Sequence, residues 1–578
     1  MSISRLLSTL SLTALIGLVV ACGTVHRSAP GPALERGVVA APESQAALVG
    51  GEILRRGGNA VDAAIAVQFA ISTTNAIGAG IGGGGFMLIH DPDAGEVVAL
   101  DYRETAPGGA HRDMFLNEHG EVDALLSVHS ALAAGVPGTV RGMAALHERY
   151  GTLPWAELIQ PAIDLAQDGF EVDPWTAGKI VEYGAKFAAV DERFREQIEF
   201  QLYFRAGTED RMSIPDLANT LRRIAERGPD EFYTGRTADL IVEEMERGDG
   251  LITMEDLASY RPVWREPIEG QYRGYKIVSM PPPSSGGVIL IEFLNMLESF
   301  DRLPLHAPEQ IHLQAEIAKR VFADRAAYLG DPAFAEVPVD VLTDKKYARA
   351  RAKGIDLKRR TDPEAIKAGD LPVQVDTDGQ TTHFSIVDRN GLAVSNTTTM
   401  NTGYGSGIVV DGAGFLLNSQ MNDFSAKPGV PNVYGVTGSE ANEIAPGKRP
   451  LSSMSPTMVY SPEGDLFLVL GSPGGSTIIS TVLQVILHSI DYGRSLAEAV
   501  DLPRFHHQWP PLLPETDPIS IEEDGRYTLA RSTLDALMEL GYSLDEVESI
   551  GDVQAIQIRG RDVTGVFDRR RTGGVAYQ

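Results

Sequence analysis

The chain has 578 residues, of which 43% are hydrophobic and 22% are charged, the composition of an ordinary globular protein. That length exceeds what one simple core usually holds, so we expect two closely packed halves or one large layered domain. With 50 basic and 78 acidic residues the net charge is -28, which argues against a nucleic-acid partner because such a partner binds a basic face.

Residues 1–21 have the pattern of an export signal. Arg5 comes before an apolar run over residues 6–20, which is too short and too early for a membrane-spanning helix. The sole cysteine, Cys22, excludes an internal disulfide, and because it follows Val-Val-Ala this end resembles a bacterial lipobox whose cysteine carries lipid. The alternative is an ordinary signal peptide with no role for Cys22. Residues 22–35 predict a tether rich in Pro, Ala, Gly and Ser, and we expect the protein in the periplasm or at the cell surface.

The next part of the chain is dominated by helical patterns. Apolar residues at helical spacing, interrupted by Gly57-Gly58-Asn59, predict two helices over residues 45–75. Residues 127–330 read mostly helical. Within them, helices are predicted over residues 155–167, 216–227, 237–247, 288–299 and 311–329. The Pro-rich stretch 280–287 is interpreted as scaffold, and the polar residues 344–379 predict an exposed linker.

A glycine run over residues 78–85 precedes a predicted strand at 86–89. A dinucleotide loop would join a strand to a helix, so this run favours close backbone packing instead. Residues 97–101 predict a strand that delivers Arg103 and Glu104. This neighbouring pair predicts either a surface salt bridge or a guanidinium that grips a carboxylate through its planar fork.

Residues 381–399 predict a β-hairpin. Two strands flank Asn390-Gly391, which is typical of a tight turn with positive φ at both residues. Thr381 would lie at the first position of the hairpin. Its hydroxyl becomes a nucleophile only beside a base, and its own α-amine can be that base if the chain is cut between Gln380 and Thr381. Otherwise, a pair of threonines at a strand start is structurally ordinary.

Further along, residues 465–470 predict a strand, 471–476 a glycine-rich loop and 477–490 a helix. This order aims backbone N–H groups at one point, which suits an anion. A nucleotide loop would need Gly-Lys-Ser/Thr, which this loop lacks. His506 and His507 are adjacent on a predicted strand and point to opposite faces, so we predict no metal and no cofactor.

The motifs DYRETAP, GVPGTVRG, MPPPSSGG, TTHFSIVD, NSQMNDFSAKPGVPNVYG, KRPLSSMSPT and GSPGGS occur in this order. Together they resemble the gamma-glutamyltranspeptidase family, in its bacterial form with a lid loop, from about residue 36 to the C-terminus. The resemblance implies an α/β (α+β) fold, the four-layer αββα sandwich of N-terminal-nucleophile hydrolases. It also implies one precursor that cleaves itself before Thr381, giving a large subunit (36–380) and a small catalytic subunit (381–578) that form a heterodimer.

The resemblance also implies a role for each matching residue. Thr381 would be the nucleophile and Thr399 its hydrogen-bond partner, while Gly474 and Gly475 would stabilise the oxyanion. The implied substrate residues are Arg103, Ser452 and Ser453 for the α-carboxylate, Asp423 for the α-ammonium group, Asn401 and Gln420 in the pocket, and Tyr434 on the lid. Asn422 stands where some members carry a second acid, a departure that changes the local charge.

The implied enzyme is a γ-glutamyltransferase and glutathione hydrolase. It passes the γ-glutamyl group of glutathione or a related compound to water, an amino acid or a peptide. One alternative is an acylase that removes glutaryl-type side chains from β-lactams; these lack the α-ammonium group that Asp423 would hold. The other is a catalytically silent surface binding protein, which the intact Thr381, Thr399 and glycine pair disfavour. Membrane contact is expected only through lipid on Cys22.

Overall fold

The computed structural model describes residues 33–195, 198, 211–368, 381–510, 516–522 and 524–578. The predicted export signal, Cys22 and Gln380 lie outside these residues, so the structure leaves those predictions untested. In the described ranges, every helix is too short or too polar to cross a lipid bilayer.

In the described ranges most helices lie before residue 381, and the last three follow it. They are α1 (Ser44–Arg55), α2 (Ala60–Thr74), α3 (Ala124–His129), α4 (Thr139–Tyr150), α5 (Trp155–Asp168), α6 (Pro174–Ala188), α7 (Glu192–Arg195), α8 (Pro215–Arg227), α9 (Asp230–Thr234), α10 (Arg236–Arg247), α11 (Met254–Ser259), α12 (Gly286–Leu297), α13 (Pro308–Tyr328), α14 (Val339–Leu342), α15 (Lys345–Ala352), α16 (Thr477–Ile490), α17 (Leu496–Asp501) and α18 (Arg531–Glu539). The helices predicted from apolar spacing are all among them.

The strands are spread over both halves of the chain. They are β1 (Val38–Ala41), β2 (Gly84–Asp91), β3 (Glu96–Asp101), β4 (Phe170–Glu171), β5 (Arg211–Met212), β6 (Val263–Arg265), β7 (Ile268–Tyr272), β8 (Tyr275–Ser279), β9 (Thr381–Val387), β10 (Ala393–Thr399), β11 (Thr457–Tyr460), β12 (Leu466–Gly471), β13 (Phe505–His506), β14 (Ile519–Glu522), β15 (Leu544–Val547), β16 (Gln554–Arg559), β17 (Asp562–Phe567) and β18 (Gly574–Tyr577).

Two antiparallel sheets form the centre of the molecule. The first has seven strands in the order β18-β1-β9-β10-β2-β3-β6, and the second has six in the order β17-β16-β12-β11-β8-β7. Strands β9 and β10 contact β12 across the gap between the sheets. Smaller sheets join β13, β14 and β15, and β4 with β5.

Helices cover the outer face of each sheet. One hydrophobic core lies between the seven-stranded sheet and α1, α2 and α5, and another joins the two sheets to α12, α13 and α16. The period-2 alternation of strand side chains connects the layers, because in β1 Val39 belongs to the first core and Val38 to the second. The result is the four-layer αββα sandwich, so the predicted fold class is confirmed.

The hairpin of β9 and β10 is present, but its turn differs from the predicted one. Gly391 has a φ of 89°, whereas Asn390 does not adopt a positive φ. The Asp388 side chain explains the difference, since its Oδ1 accepts from the N–H groups of Asn390 at 2.8 Å and Leu392 at 3.2 Å. The Asp388 N–H also donates to the Leu392 carbonyl oxygen at 3.0 Å, which leaves a three-residue loop, and in such a loop one left-handed residue is enough to close the turn.

Two other stretches also differ from the prediction. Short strands β4 to β8 interrupt the region that reads mostly helical. Residues 345–352 of the predicted exposed linker form α15, which Asp344 caps through the N–H groups of Lys346 and Tyr347. This helix buries only Ala348 and Ala352, so its apolar periodicity is too weak to predict it.

Ile386 tests the contribution of the central hairpin to stability. Its side chain is fully buried in β9, opposite Val39 and Val394 of the neighbouring strands. We expect Ile386→Ala to lower the free energy of unfolding by about 2–5 kcal/mol and Ile386→Val by about 0.5–1.5 kcal/mol, measured by urea unfolding. The exposed Leu48 is the control, and an equal loss in Leu48→Ala would contradict the assignment.

Candidate active site

Thr381 is the first residue of β9 and is buried beside Thr399 of β10. The register pairs these two residues directly, and their hydroxyl oxygens lie 3.3 Å apart. The backbone N–H of Asn401 donates to Thr399 Oγ1 at 2.9 Å. The strand pairing therefore brings the Thr381 hydroxyl into contact with the second hydroxyl that the sequence predicted beside it.

The glycine run packs against the backbone of this hairpin, as predicted. A Cβ at Gly78 would lie 3.0 Å from the Thr381 carbonyl oxygen, and one at Gly83 would lie 2.3 Å from that of Thr399. A Cβ at Gly82 would come within 2.1 Å of the Leu416 carbonyl oxygen. Side chains at Gly82 and Gly83 would thus push the hairpin and the following loop out of place.

A narrow cleft with a cavity volume of about 20 Å³ opens in front of Thr381. Its lining includes the predicted residues Arg103, Thr381, Thr399, Asn401, Gln420, Asp423, Tyr434, Ser452, Ser453 and Gly475. Gly474 lies on a neighbouring cavity on the other side of Tyr434. The cleft also includes Arg325, Asn432, Val436, Leu451, Met454 and Ile478, which the sequence analysis missed.

Two oppositely charged side chains, Arg103 and Asp423, form a hydrogen-bonded ion pair within the cleft. Both are buried, and Asp423 also accepts from Gln420 Nε2 at 2.7 Å. Burial raises the pKa of Asp423, while Arg103 and Gln420 act in the opposite direction. The predicted binders of a carboxylate and an ammonium group are therefore adjacent and paired with each other.

Glu104 is also buried, so a surface salt bridge with Arg103 is the wrong interpretation of this neighbouring pair. One of its carboxylate oxygens lies 3.6 Å from Arg103 Nη1, and neither oxygen has a hydrogen-bond partner in the described part of the chain. Burial raises the pKa of Glu104 to about 7, with Arg103 opposing the shift and Asp423 and Asp101 adding to it.

Backbone hydrogen bonds from the Pro-rich stretch hold the serine pair in place. The Ser285 N–H donates to the Ser452 carbonyl oxygen at 2.7 Å, and the Ser452 N–H donates to that of Pro283 at 2.9 Å. The Ser284 hydroxyl donates to the Met454 carbonyl oxygen at 2.6 Å. The predicted scaffold role of residues 280–287 thus has a defined target, the loop that carries Ser452 and Ser453.

Gly474 and Gly475 lie just before Ser476, the N-cap of α16, and have φ angles of 132° and 56°, which favour glycine. Their backbone N–H groups donate to no acceptor among the residues that the structure describes. Such groups before a helix N-terminus favour a negative charge. Gly475 lines the same cleft as Thr381, whereas Gly474 lines the neighbouring cavity, and the anion site predicted at this glycine pair stays a prediction.

Tyr434 lies on the loop over residues 428–435 and lines one side of the cleft. Its hydroxyl donates to the Asn401 carbonyl oxygen at 2.7 Å and also contacts the Asn401 side chain. Gln508 Nε2 donates to the Tyr434 carbonyl oxygen at 3.2 Å. A Cβ at Gly475 would lie only 2.4 Å from the Tyr434 ring, so this ring packs directly against the glycine loop.

Asn422 points away from the cleft. Its Nδ2 donates to Ser127 Oγ at 2.8 Å, and its Oδ1 accepts from the Val433 N–H at 3.3 Å. Because the Ser127 hydroxyl donates to the Ala124 carbonyl oxygen at 2.9 Å, it offers Asn422 an acceptor, and an amide suits this position better than a carboxylate.

The adjacent histidines have separate structural partners. His506 Nδ1 lies 2.8 Å from Ser480 Oγ, whereas His507 Nε2 lies 2.8 Å from Asp517 Oδ1. Among the described residues, no cluster of three or more His, Cys, Asp and Glu side chains has the arrangement of a metal site.

Comparisons with known proteins agree with these motifs. The family model described as gamma-glutamyltranspeptidase matches residues 46–578. The chain is 46% identical over 566 residues to a glutathione hydrolase proenzyme of Pseudomonas aeruginosa, covering 96% of this chain and 97% of the relative. It is 45% identical over 531 residues to the glutathione hydrolase proenzyme of Escherichia coli K12, covering 91% and 88%.

Among solved structures, the cephalosporin acylase of Bacillus halodurans is similar to this chain along its whole length. The TM-score is 0.81 at 28% sequence identity, and the match covers 95% of this chain and 98% of the acylase.

The ionisation of Glu104 is expected to make stability depend on pH. The pKa of Glu104 rises from an ordinary value of 4.5 to about 7 in the folded protein. The protonated carboxyl group therefore makes its full contribution to the free energy of unfolding below pH 4.5, and this contribution is lost as pH rises through 7. We expect the free energy of unfolding of Glu104→Gln, relative to that of the wild type, to increase by about 2–3 kcal/mol as pH rises from 5 to 8, measured by urea unfolding. Parallel pH profiles for the two proteins would show that Glu104 does not titrate in this range.

Proposed function

The chain belongs to the gamma-glutamyltranspeptidase family, and from this membership we propose which residues carry out its reaction. It is an enzyme of γ-glutamyl transfer and glutathione hydrolysis, with the fold of N-terminal-nucleophile hydrolases. The observation that carries the assignment is the contact between Thr381 and Thr399 in a cleft that also holds a buried Arg103–Asp423 pair.

The first reaction is the maturation of the precursor. The Thr381 hydroxyl attacks the carbonyl carbon of Gln380, the C–N bond before Thr381 breaks, and an ester replaces the amide. Breaking that bond frees the Thr381 α-amine, and water then hydrolyses the ester to the Gln380 carboxylate and restores the Thr381 hydroxyl. This amine has an ordinary pKa of about 7.7–8.0, so near neutral pH it can act as a base for the hydroxyl on the same residue.

The second reaction is the transfer cycle. Thr381 Oγ1 attacks the γ-carbonyl carbon of the donor while the α-amine takes the hydroxyl proton and passes it to the leaving amine. The N–H groups of Gly474 and Gly475 stabilise the oxyanion, and Thr399 orients the nucleophile. Water or the amine of an amino acid or peptide then attacks the γ-glutamyl ester, so the kinetics are ping-pong.

Specificity comes from the charges of the cleft. Arg103, Ser452 and Ser453 bind the α-carboxylate of the donor, and Asp423 binds its α-ammonium group, with Asn401 and Gln420 as further contacts. The closeness of Arg103 and Asp423 supports this assignment, because an amino-acid head group carries the same two charges on one carbon. Tyr434 closes the lid over the bound donor.

The acylase alternative has less support. The chain resembles a cephalosporin acylase at 28% identity, but its relatives at 45–46% identity are glutathione hydrolase proenzymes. Asp423 is a further argument, since an acyl group without an ammonium would leave this buried carboxylate with no substrate charge to bind. The complete set of Thr381, Thr399 and glycine pair also argues against a silent binding protein.

The proposed precursor consists of an export signal (1–21), a tether (22–35), the large subunit (36–380) and the small subunit (381–578). Lipid on Cys22 would anchor the exported heterodimer at a membrane. The description of the relatives as proenzymes supports processing, and the sheet order supports a stable pair because β9 lies between β1 and β10.

Self-cleavage tests the nucleophile directly. We expect the purified protein to give two bands on denaturing electrophoresis, with the smaller band beginning Thr-Thr-His-Phe on N-terminal sequencing. Thr381→Ala should remain one chain because it has no hydroxyl, whereas the control Thr381→Ser should still be cut. A wild-type chain that stays whole, or a Thr381→Ala chain cut at the same bond, would disprove the assignment.

Asp423→Ala separates substrate binding from maturation. We expect kcat/KM on a γ-glutamyl anilide to fall by about 30- to 5,000-fold, because a buried charge contact with the donor is lost, while self-cleavage continues. Asp411→Ala, which removes a surface carboxylate, is the matched control. Unchanged turnover of the anilide by Asp423→Ala would remove the ammonium-binding role.

A further inference from the structure

Arg325 is a buried cation in the cleft that the sequence motifs do not mark. It lies near the C-terminal end of α13, and only 4% of its surface is exposed. It lines the same cleft as Thr381, Asp423, Ser452 and Ser453. Its contacts show how it differs from the other buried arginines.

The contacts of Arg325 are made to neutral oxygens. Its Nε donates to Ser285 Oγ at 2.9 Å and its Nη2 donates to Ser453 Oγ at 3.3 Å. No carboxylate of the described chain lies within 4.0 Å of its guanidinium nitrogens, whereas Arg320 on the same helix pairs with Glu316 at 2.9 Å. Burial lowers the pKa of Arg325 to about 10, while the charge of Asp423, which is not in direct contact, opposes the shift, so Arg325 remains charged at neutral pH.

A buried charge without a counter-ion is costly, and proteins retain such groups mainly at functional sites. Arg103 already pairs with Asp423 in the cleft. Among the described cleft residues, Arg325 is therefore the cation that has no directly bonded anion.

The two serines beside Arg325 are arranged as donors. Ser452 Oγ accepts from the Met454 N–H at 3.1 Å, and Ser453 Oγ accepts from Arg325. Neither hydroxyl donates to an acceptor within the ranges that the structure describes. Because each oxygen already accepts one bond, each hydroxyl hydrogen is available for an anion, and a carboxylate has two oxygens to receive the pair.

We propose that Arg325 is a positioning residue for the α-carboxylate of the donor. It holds Ser453 as an acceptor, so that the Ser453 hydroxyl donates to the carboxylate, and its charge is neutralised when the carboxylate binds. This inference rests on the proposed function, since it concerns the donor subsite of the same cleft. It assigns the carboxylate two cationic groups, Arg103 and Arg325, which lie on separate parts of the chain.

The test is the kinetics of Arg325→Met with a γ-glutamyl anilide, after electrophoresis has shown complete self-cleavage. We expect KM to rise by about 10- to 100-fold and kcat to change much less, because the lost interaction is made to the bound carboxylate. Replacing a buried charge by an apolar side chain of similar length is compatible with folding. Arg349→Met, which removes an exposed arginine, is the matched control.

Competitive inhibitors distinguish a role in carboxylate binding from a general structural role. L-Glutamate and L-isoglutamine differ only in that the second has a neutral amide in place of the α-carboxylate. We expect Arg325→Met to weaken inhibition by L-glutamate and to leave that by L-isoglutamine unchanged. Equal weakening of both inhibitors would overturn the proposal, as would a KM within twofold of the wild-type value.

Ser285→Ala is a milder second variant, which removes the hydroxyl that accepts from Arg325 Nε and that donates to the Ser452 carbonyl oxygen at 2.7 Å. We expect a KM increase of a few fold in the same direction, and an unchanged KM would contradict the proposal. A wild-type enzyme that fails to turn over any γ-glutamyl anilide would instead disprove the proposed function, so the two failures are distinguishable.

Discussion

The pairing of β9 with β10 is the constraint on which the site depends. It places the Thr381 and Thr399 hydroxyls 3.3 Å apart at the open end of a hairpin whose two strands are buried throughout. Because the hairpin lies in the middle of the seven-stranded sheet and against the second sheet, a shift of one residue would turn its inward side chains to the opposite face. The glycine run adds a further constraint, since it touches the carbonyl oxygens of both threonines.

The cleft contains more buried charge than stability alone explains. Arg103, Glu104, Asp423 and Arg325 are all buried within or beside it, and buried ion pairs are often no more stabilising than apolar replacements. The arrangement is better explained by recognition, because opposite charges on one small head group can be matched in only a few orientations. Burial also strengthens these interactions, since water is largely absent between the charges.

Much of the fold and part of the site could be predicted from the sequence. Helix positions follow from apolar spacing, and the close packing of the glycine run follows from its position before a strand. The predicted positive φ at Asn390 was wrong, because the Asp388 carboxylate accepts from the turn and only Gly391 then needs a positive φ. Arg325 was missed because α13 is buried on nearly all sides, so its charged residues look like an exposed face when only the sequence is read.

The order of strands in the two sheets determines how the mature enzyme would be inactivated by unfolding. Strands from before residue 381 pair with strands from after it at β1–β18, β1–β9, β10–β2 and β8–β11. If the bond before Thr381 is cut as proposed, dilution alone cannot separate the fragments, because separation requires both sheets to be dismantled. Refolding, by contrast, becomes a meeting of two chains and slows as the protein is diluted. The lifetime of the mature enzyme is then set by a rate of unfolding, and not by an equilibrium that it can re-enter.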